Sequence, residues 1–97
     1  MAEVVWTHTA RNHLKNILEF IALGSKKYAI ATVERIQRSA ARLGRFPESG
    51  RWVPEDKTNT YREVVVGNYR VIYRTAPGVV YVVGVMHGAQ AFRMPEA

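Results

Sequence analysis

The sequence contains no cysteine, which excludes disulfide staples and thiolate zinc sites. Acid is scarce: eight Asp and Glu stand against fourteen Lys and Arg, a net charge of +6. No apolar run is long enough to span a bilayer. The longest, Val79 to Met86, has the length of a buried strand. The opening Met1-Ala2-Glu3-Val4-Val5-Trp6 has no basic region followed by an apolar stretch, so no secretory leader is expected. With no lipidation signal either, a membrane partner is not expected, and a reducing cytoplasm is the natural setting.

What is present suffices for a core. Hydrophobic residues make up 47% of 97 residues, which predicts one folded domain over 1–97 rather than disorder. The basic surplus points to an anionic partner: nucleic acid, a ribosomal surface or an acidic protein. No cofactor is expected.

Along the chain, Val4-Val5-Trp6 reads as a short strand ending at Thr7, a good helix cap. Ala10, Leu14, Ile17, Leu18 and Ile21 then trace one helical face. Gly24 is placed to end this helix and Ser25 to cap the next, whose stripe is Ala29, Val33, Ile36, Ala40 and Leu43 before Gly44. So short a link predicts an antiparallel helix hairpin. Residues 45–60, with Pro47, Gly50 and Pro54, read as a loop. Tyr61–Val66 and Tyr69–Arg74 are β-rich runs separated by Gly67-Asn68, a strong two-residue hairpin signal. Thr75-Ala76-Pro77-Gly78 makes the next turn, and Val79–His87 is the last strand. The predicted class is α+β, ordered β-α-α-β-β-β: an antiparallel sheet with the helix hairpin packed on one face.

Strand alternation assigns side chains to faces. A two-residue turn at Gly67-Asn68 pairs Val66 with Tyr69, Val64 with Val71 and Arg62 with Tyr73 on the helix-covered face. The opposite face pairs Val65 with Arg70, Glu63 with Ile72 and Tyr61 with Arg74. If a four-residue turn joins Arg74 to Val79, then Tyr81, Val83, Val85 and His87 share the Arg70 face; a single bulge reverses that step. The expected result is an uncovered basic surface with aromatic neighbours. Glu63 sits diagonal to Arg70 and Arg74, so a solvated face with cross-strand ion pairs is the plain alternative. Arg35, Arg38, Arg42 and Arg45 fall on one side of the second helix, as either a solvated face or a contact surface.

Trp6-Thr7 with Ala10 and Leu14 is followed by Gly50-Arg51-Trp52-Val53-Pro54-Glu55, Tyr61-Arg62-Glu63-Val64, Gly67-Asn68-Tyr69-Arg70-Val71-Ile72-Tyr73-Arg74 and Val85-Met86-His87-Gly88-Ala89-Gln90. Together these segments resemble the RelE/ParE toxin superfamily. The resemblance covers essentially the whole chain in order and implies the same β-α-α-β-β-β fold. It implies a bacterial type II toxin held inactive by a cognate antitoxin. It also implies one of two activities: poisoning of DNA gyrase in ParE-like members, or ribosome-dependent cleavage of mRNA in RelE-like members. Cutting RNA through its 2′-hydroxyl needs a base, a cation for the phosphate and an acid for the leaving oxygen. Glu55, Arg70 and His87 resemble positions used that way in some relatives, and would be catalytic in a nuclease. RelE-like nucleases, however, tend to carry lysines on or just before the second strand and a Tyr near the C terminus. Here Tyr61–Val66 holds no lysine, and the only aromatic after His87 is Phe92. The ending His87-Gly88-Ala89-Gln90 is closer to the ParE branch, which is the favoured reading. Arg35, Arg38, Arg42, Arg62, Arg74 and Arg93 are the candidate contacts to partner or nucleic acid. The third reading is a non-toxic basic nucleic-acid-binding domain.

Overall fold

The computed structural model describes residues 1–93; the last four residues of the expected domain lie outside that span. The elements are β1 (Glu3–Trp6), α1 (His8–Ala22), α2 (Lys26–Arg42), β2 (Arg51–Trp52), β3 (Arg62–Val66), β4 (Tyr69–Ala76) and β5 (Val79–His87). They form one five-stranded sheet in the order β1-β5-β4-β3-β2. The helix hairpin covers one face, as the two apolar stripes require.

Both helices start where a side chain can satisfy an orphan backbone donor. Thr7 Oγ1 accepts from the Ala10 N–H at 3.2 Å, and Ser25 Oγ accepts from the Tyr28 N–H at 3.1 Å. Thr7 also donates to the Val82 carbonyl, tying the first cap to the sheet. The central core joins Ala10, Ile36 and Ala40 of the helices to Val66, Val71, Val82 and Val85 of the sheet. Leu43, Tyr73 and Val80 continue it toward the end of α2. Gly44 is where the N terminus crosses: Ala2 donates to its carbonyl at 2.8 Å, and a Cβ on Gly44 would stand 2.7 Å from the Ala2 oxygen.

The hairpin register is as expected, with Val66 opposite Tyr69, Val64 opposite Val71 and Arg62 opposite Tyr73. Four features differ from the sequence-based reading. First, the sheet is mixed: β1 lies parallel to β5, Glu3 opposite Val79 through Trp6 opposite Val82. Second, the loop before β3 contains a two-residue edge strand, with Arg51 opposite Glu63 and Trp52 opposite Arg62. Third, β4 runs to Ala76, which pairs directly with Val79, so the turn is two residues long. Gly78 makes this possible by adopting φ +74°, which a side chain would strain.

The fourth difference moves a candidate site residue. The β4–β5 register shifts between Ile72 and Tyr73: Ile72 lies opposite Gly84, whereas Tyr73 lies opposite Val82. Val83 is the extra residue of this bulge, and beyond it every side chain changes face. Tyr81 keeps the expected face but lies opposite Arg74, in place of Val79, and Val83 packs with Ile72 on the outer face. Val85 turns inward opposite Val71, and His87 follows it opposite Tyr69. The expectation that His87 shares the Arg70 face is therefore corrected. Gly84 fits the bulged strand beneath α1, since a Cβ there would meet His13 Nδ1 at 3.3 Å. That nitrogen accepts the Val85 N–H at 3.2 Å, covering a stretch of β5 that β1 is too short to pair.

Candidate functional site

The outer face of the sheet is not the open basic surface that alternation suggests. After β2 the chain folds back over it, and Val53 packs on Ile72 with Phe92 from the C-terminal segment. Tyr61 meets the Phe92 ring edge-on at 5.3 Å between centroids. The fold-back is fixed by Asp56, which is buried and accepts from the backbone N–H groups of Thr58, Thr60 and Tyr61. Burial pushes the Asp56 carboxyl up, but the hydrogen bonds from the Thr58 hydroxyl and these N–H groups outweigh it, and its pKa falls from 3.8 to about 2.

Arg70 sits under this cover and is only 6% exposed. Its Nε donates to Glu63 Oε1 at 2.8 Å, and Nη2 donates to Glu63 Oε1 and to Glu55 Oε1. Nη1 donates to Glu55 Oε2 at 2.8 Å and to the Gln90 carbonyl at 2.9 Å. Arginine has five N–H donors, and these bonds occupy all of them. Glu63, whose side chain is fully buried, is held on its other oxygen by Arg51 Nε at 2.7 Å. Glu55 accepts in addition from the Phe92 N–H at 2.8 Å. Two arginines and two carboxylates thus form a continuous chain, Arg51–Glu63–Arg70–Glu55, linking β2, β3, β4, the loop before β3 and the C-terminal segment.

The electrostatics follow the contacts. Hydrogen bonding from Arg70, then from the Phe92 N–H, holds the Glu55 carboxyl at about 2, well below its ordinary 4.5, against the opposing effect of burial. The Arg70 guanidinium is pushed further up, chiefly by its hydrogen bonds to Glu55, with burial opposing and Glu63 adding. Both groups stay charged across the physiological range, and neither is tuned to exchange protons.

His87 lies on the other side of the sheet. Its ring stands edge-on to Tyr69 at 6.0 Å, and its Nδ1 accepts the Ala89 N–H at 3.2 Å. It borders a shallow hollow with His13, Phe20, Tyr69 and Gln90. Of the three residues expected to be catalytic in a nuclease, Glu55 and Arg70 meet in an ion pair and His87 is separated from them by the sheet.

The other candidate arginines divide into two groups. Arg35, Arg38, Arg42 and Arg45 are exposed along α2 and the turn after it, and Arg38 faces Glu34 at 3.8 Å, one helical turn away. Arg93, the last described residue, is also exposed. Arg62 instead lies 3.8 Å above the Trp52 ring and donates to the Gly50 carbonyl. Arg74 lies 4.3 Å from the Tyr81 ring centroid. The cross-strand pairing of Glu63 with Arg70 was legible; its second partner is Arg51 rather than Arg74. Not foreseen from sequence were Asp56, His13 and the Tyr73 hydroxyl, which accepts from Gly50 N–H at 2.9 Å and donates to the Pro47 carbonyl at 2.8 Å. Only Asp56 left a local signal, a short acidic side chain two residues before Thr58. Among the described residues no cluster of His, Asp and Glu could hold a metal ion, and no helix is long and apolar enough to cross a membrane.

Comparison with known proteins agrees with this architecture. The family described as "ParE toxin of type II toxin-antitoxin system, parDE" matches residues 4–92. A protein named Toxin RelE2, from Caulobacter vibrioides, is 37% identical over 91 residues, covering 93% of this chain and 99% of that protein. A solved structure titled "Chromosomal ParDE TA system from P. aeruginosa" superposes with a TM-score of 0.75 over 90% of this chain and 96% of that one. Its 17% identity makes this a likeness of fold alone. The class so defined is the toxin of a type II toxin–antitoxin system. Within it, the chain belongs to the ParE toxin family of the RelE/ParE superfamily, which implies a cognate antitoxin as partner.

Proposed function

We propose that this toxin poisons DNA gyrase by binding it, with no chemistry of its own. One observation carries the reading: all five donors of Arg70 are engaged beneath a covered face, and His87 lies across the sheet. For Arg70 to clamp a strained phosphate it would have to release Glu63, leaving a buried carboxylate short of a partner, at a cost of about 3–5 kcal/mol. For His87 to protonate the leaving oxygen it would have to come within hydrogen-bond reach of the same phosphate. The pair therefore resembles a structural clamp more than a ribonuclease centre. The surfaces left for a target are the exposed arginines of α2, namely Arg35, Arg38 and Arg42, followed by Arg45, and the segment from Gly88 to Arg93. Gyrase engaged on DNA offers the anionic surroundings that a +6 chain is suited to. Arg62 and Arg74, each stacked on an aromatic ring, would contribute their outer edges only.

The test uses purified toxin, wild type and His87→Gln, in two assays: DNA supercoiling by gyrase, and mRNA integrity on translating ribosomes. Both proteins should inhibit supercoiling and leave the mRNA whole. Ribosome-dependent cuts that disappear in His87→Gln would overturn the proposal in favour of the nuclease.

A further inference from the structure

Beyond His87 the chain leaves the sheet, yet it is held closely. Gly88 N–H donates to the Asn68 carbonyl at 2.7 Å and Gln90 N–H to the His87 carbonyl at 2.9 Å, turning the chain back over the outer face. Residues 88–91 and Arg93 are exposed, whereas Phe92 is buried against Val53 and Ile72. Two polar contacts fix the backbone between them. Arg70 Nη1 holds the Gln90 carbonyl, and Glu55 Oε2 accepts the Phe92 N–H.

The same Glu55 oxygen accepts from Arg70 and from Phe92. The carboxylate is thus the junction between the buried ion-pair chain and an otherwise unladdered segment. The main core, built from the helices and the inner face of the sheet, does not include it. A structural clamp of this kind orders backbone that has no strand ladder to hold it.

We propose that Glu55, backed by Arg70, is a positioning residue of the toxin: it sets the path of residues 88–93 and thereby presents their exposed side chains to the target. The role given to that segment rests on the binding mode proposed above. Glu55 is suited to this because its two oxygens receive the paired donors of one guanidinium, which fixes the carboxylate plane, and one lone pair remains for the Phe92 N–H. Glutamine cannot reproduce this. It has a single acceptor oxygen, so its NH2 would face an Arg70 donor, and Glu55→Gln loses the two-point pairing that fixes the side-chain plane beside Phe92.

The experiment uses the full-length chain in three forms besides wild type: Glu55→Gln, Phe92→Ala and the double variant. Amide exchange at Phe92, measured against Val71 in the core, reports whether the segment is held. Growth arrest on expression without antitoxin, scored as the inducer dose giving half-maximal effect, reports function. Glu55→Gln should speed exchange at Phe92 by about tenfold or more while Val71 stays protected. Each single variant should raise the dose by roughly tenfold, and the double should be no worse than the weaker single, because both release one segment. Unchanged exchange at Phe92, or effects that multiply in the double variant, would overturn the proposal. If Glu55→Gln unfolds, Val71 exchange reveals it and Phe92→Ala carries the test alone: full toxicity with a released segment then refutes the idea. A wild-type toxin that arrests growth without inhibiting gyrase would remove the target reading only, and the growth-arrest cycle would still decide whether Glu55 positions the segment.

Discussion

Arg70→Ala should destabilise the protein far more than the loss of any exposed arginine. Its removal acts unequally on the two carboxylates. The Glu55 side chain is 30% exposed and can recover water, but the Glu63 side chain is 0% exposed and cannot. Removing one partner of a buried pair costs roughly 3–5 kcal/mol. Glu63 keeps Arg51 on its second oxygen, so the lower end, about 3 kcal/mol, is expected. With a urea slope of roughly 1–3 kcal/mol per molar for a small protein, the midpoint should fall by about 1–3 M. The assay is equilibrium urea unfolding followed by the fluorescence of Trp6 and Trp52. Arg74→Ala is the control. Arg74 is half-buried and stacks on Tyr81, a cation–π contact worth about 1 kcal/mol. An Arg70→Ala loss under about 1 kcal/mol, the scale of a surface salt bridge, would refute the claim that Arg70 and Glu63 form a buried pair.

Stability should also fall in acid along a defined path. The pKa of Glu55 is depressed from 4.5 to about 2 and that of Asp56 from 3.8 to about 2. Their contribution is therefore complete above about pH 4.5 and is lost as the pH falls toward 2. Urea midpoints across pH 7 to 2.5 should show this, and a Glu55→Gln, Asp56→Asn double variant with an unchanged slope would count against it. Tyr73→Phe should cost about 1–3 kcal/mol, because it leaves the buried Gly50 N–H without an acceptor. A thermal midpoint within 2 °C of wild type, where each kcal/mol is worth roughly 4–8 °C at this size, would show that the Tyr73 hydroxyl is not needed.

What could be read from sequence was what short-range physics controls. Ser25 and Thr7 cap because a hydroxyl reaches an N–H three residues on, and Gly67-Asn68 fixes a register that five pairs then follow. The orientation of Tyr69, Val71 and Tyr73 came from that turn alone. The bulge opposite Ile72/Tyr73 left only a weak mark, Gly84 inside the last strand, which alternation alone does not turn into a register. It was enough to carry His87 to the other face. Strand β2 was missed because two residues show no periodicity, and the parallel seat of β1 because Val4-Val5-Trp6 does not specify a neighbour. Arg70 looked exposed because its cover comes from Glu55 and Gln90, 15 and 20 residues away in chain without regular pattern. Glu63, two pairs along the same hairpin, was close enough to be anticipated.

The central seat of β5 bears on when this protein becomes itself. The strand lies between β1 and β4, and α1 packs on it, so the first strand and first helix have no floor until residues 79–87 exist. Pairing Glu3 with Val79 joins residues far apart in sequence, the kind of distant contact that makes folding slow. During synthesis, which proceeds at roughly 5–20 residues per second, the growing chain can make the helix hairpin and the β3–β4 ribbon but cannot assemble the sheet. The sheet, and with it the toxin's folded surface, therefore cannot form until residues 79–87 have been made.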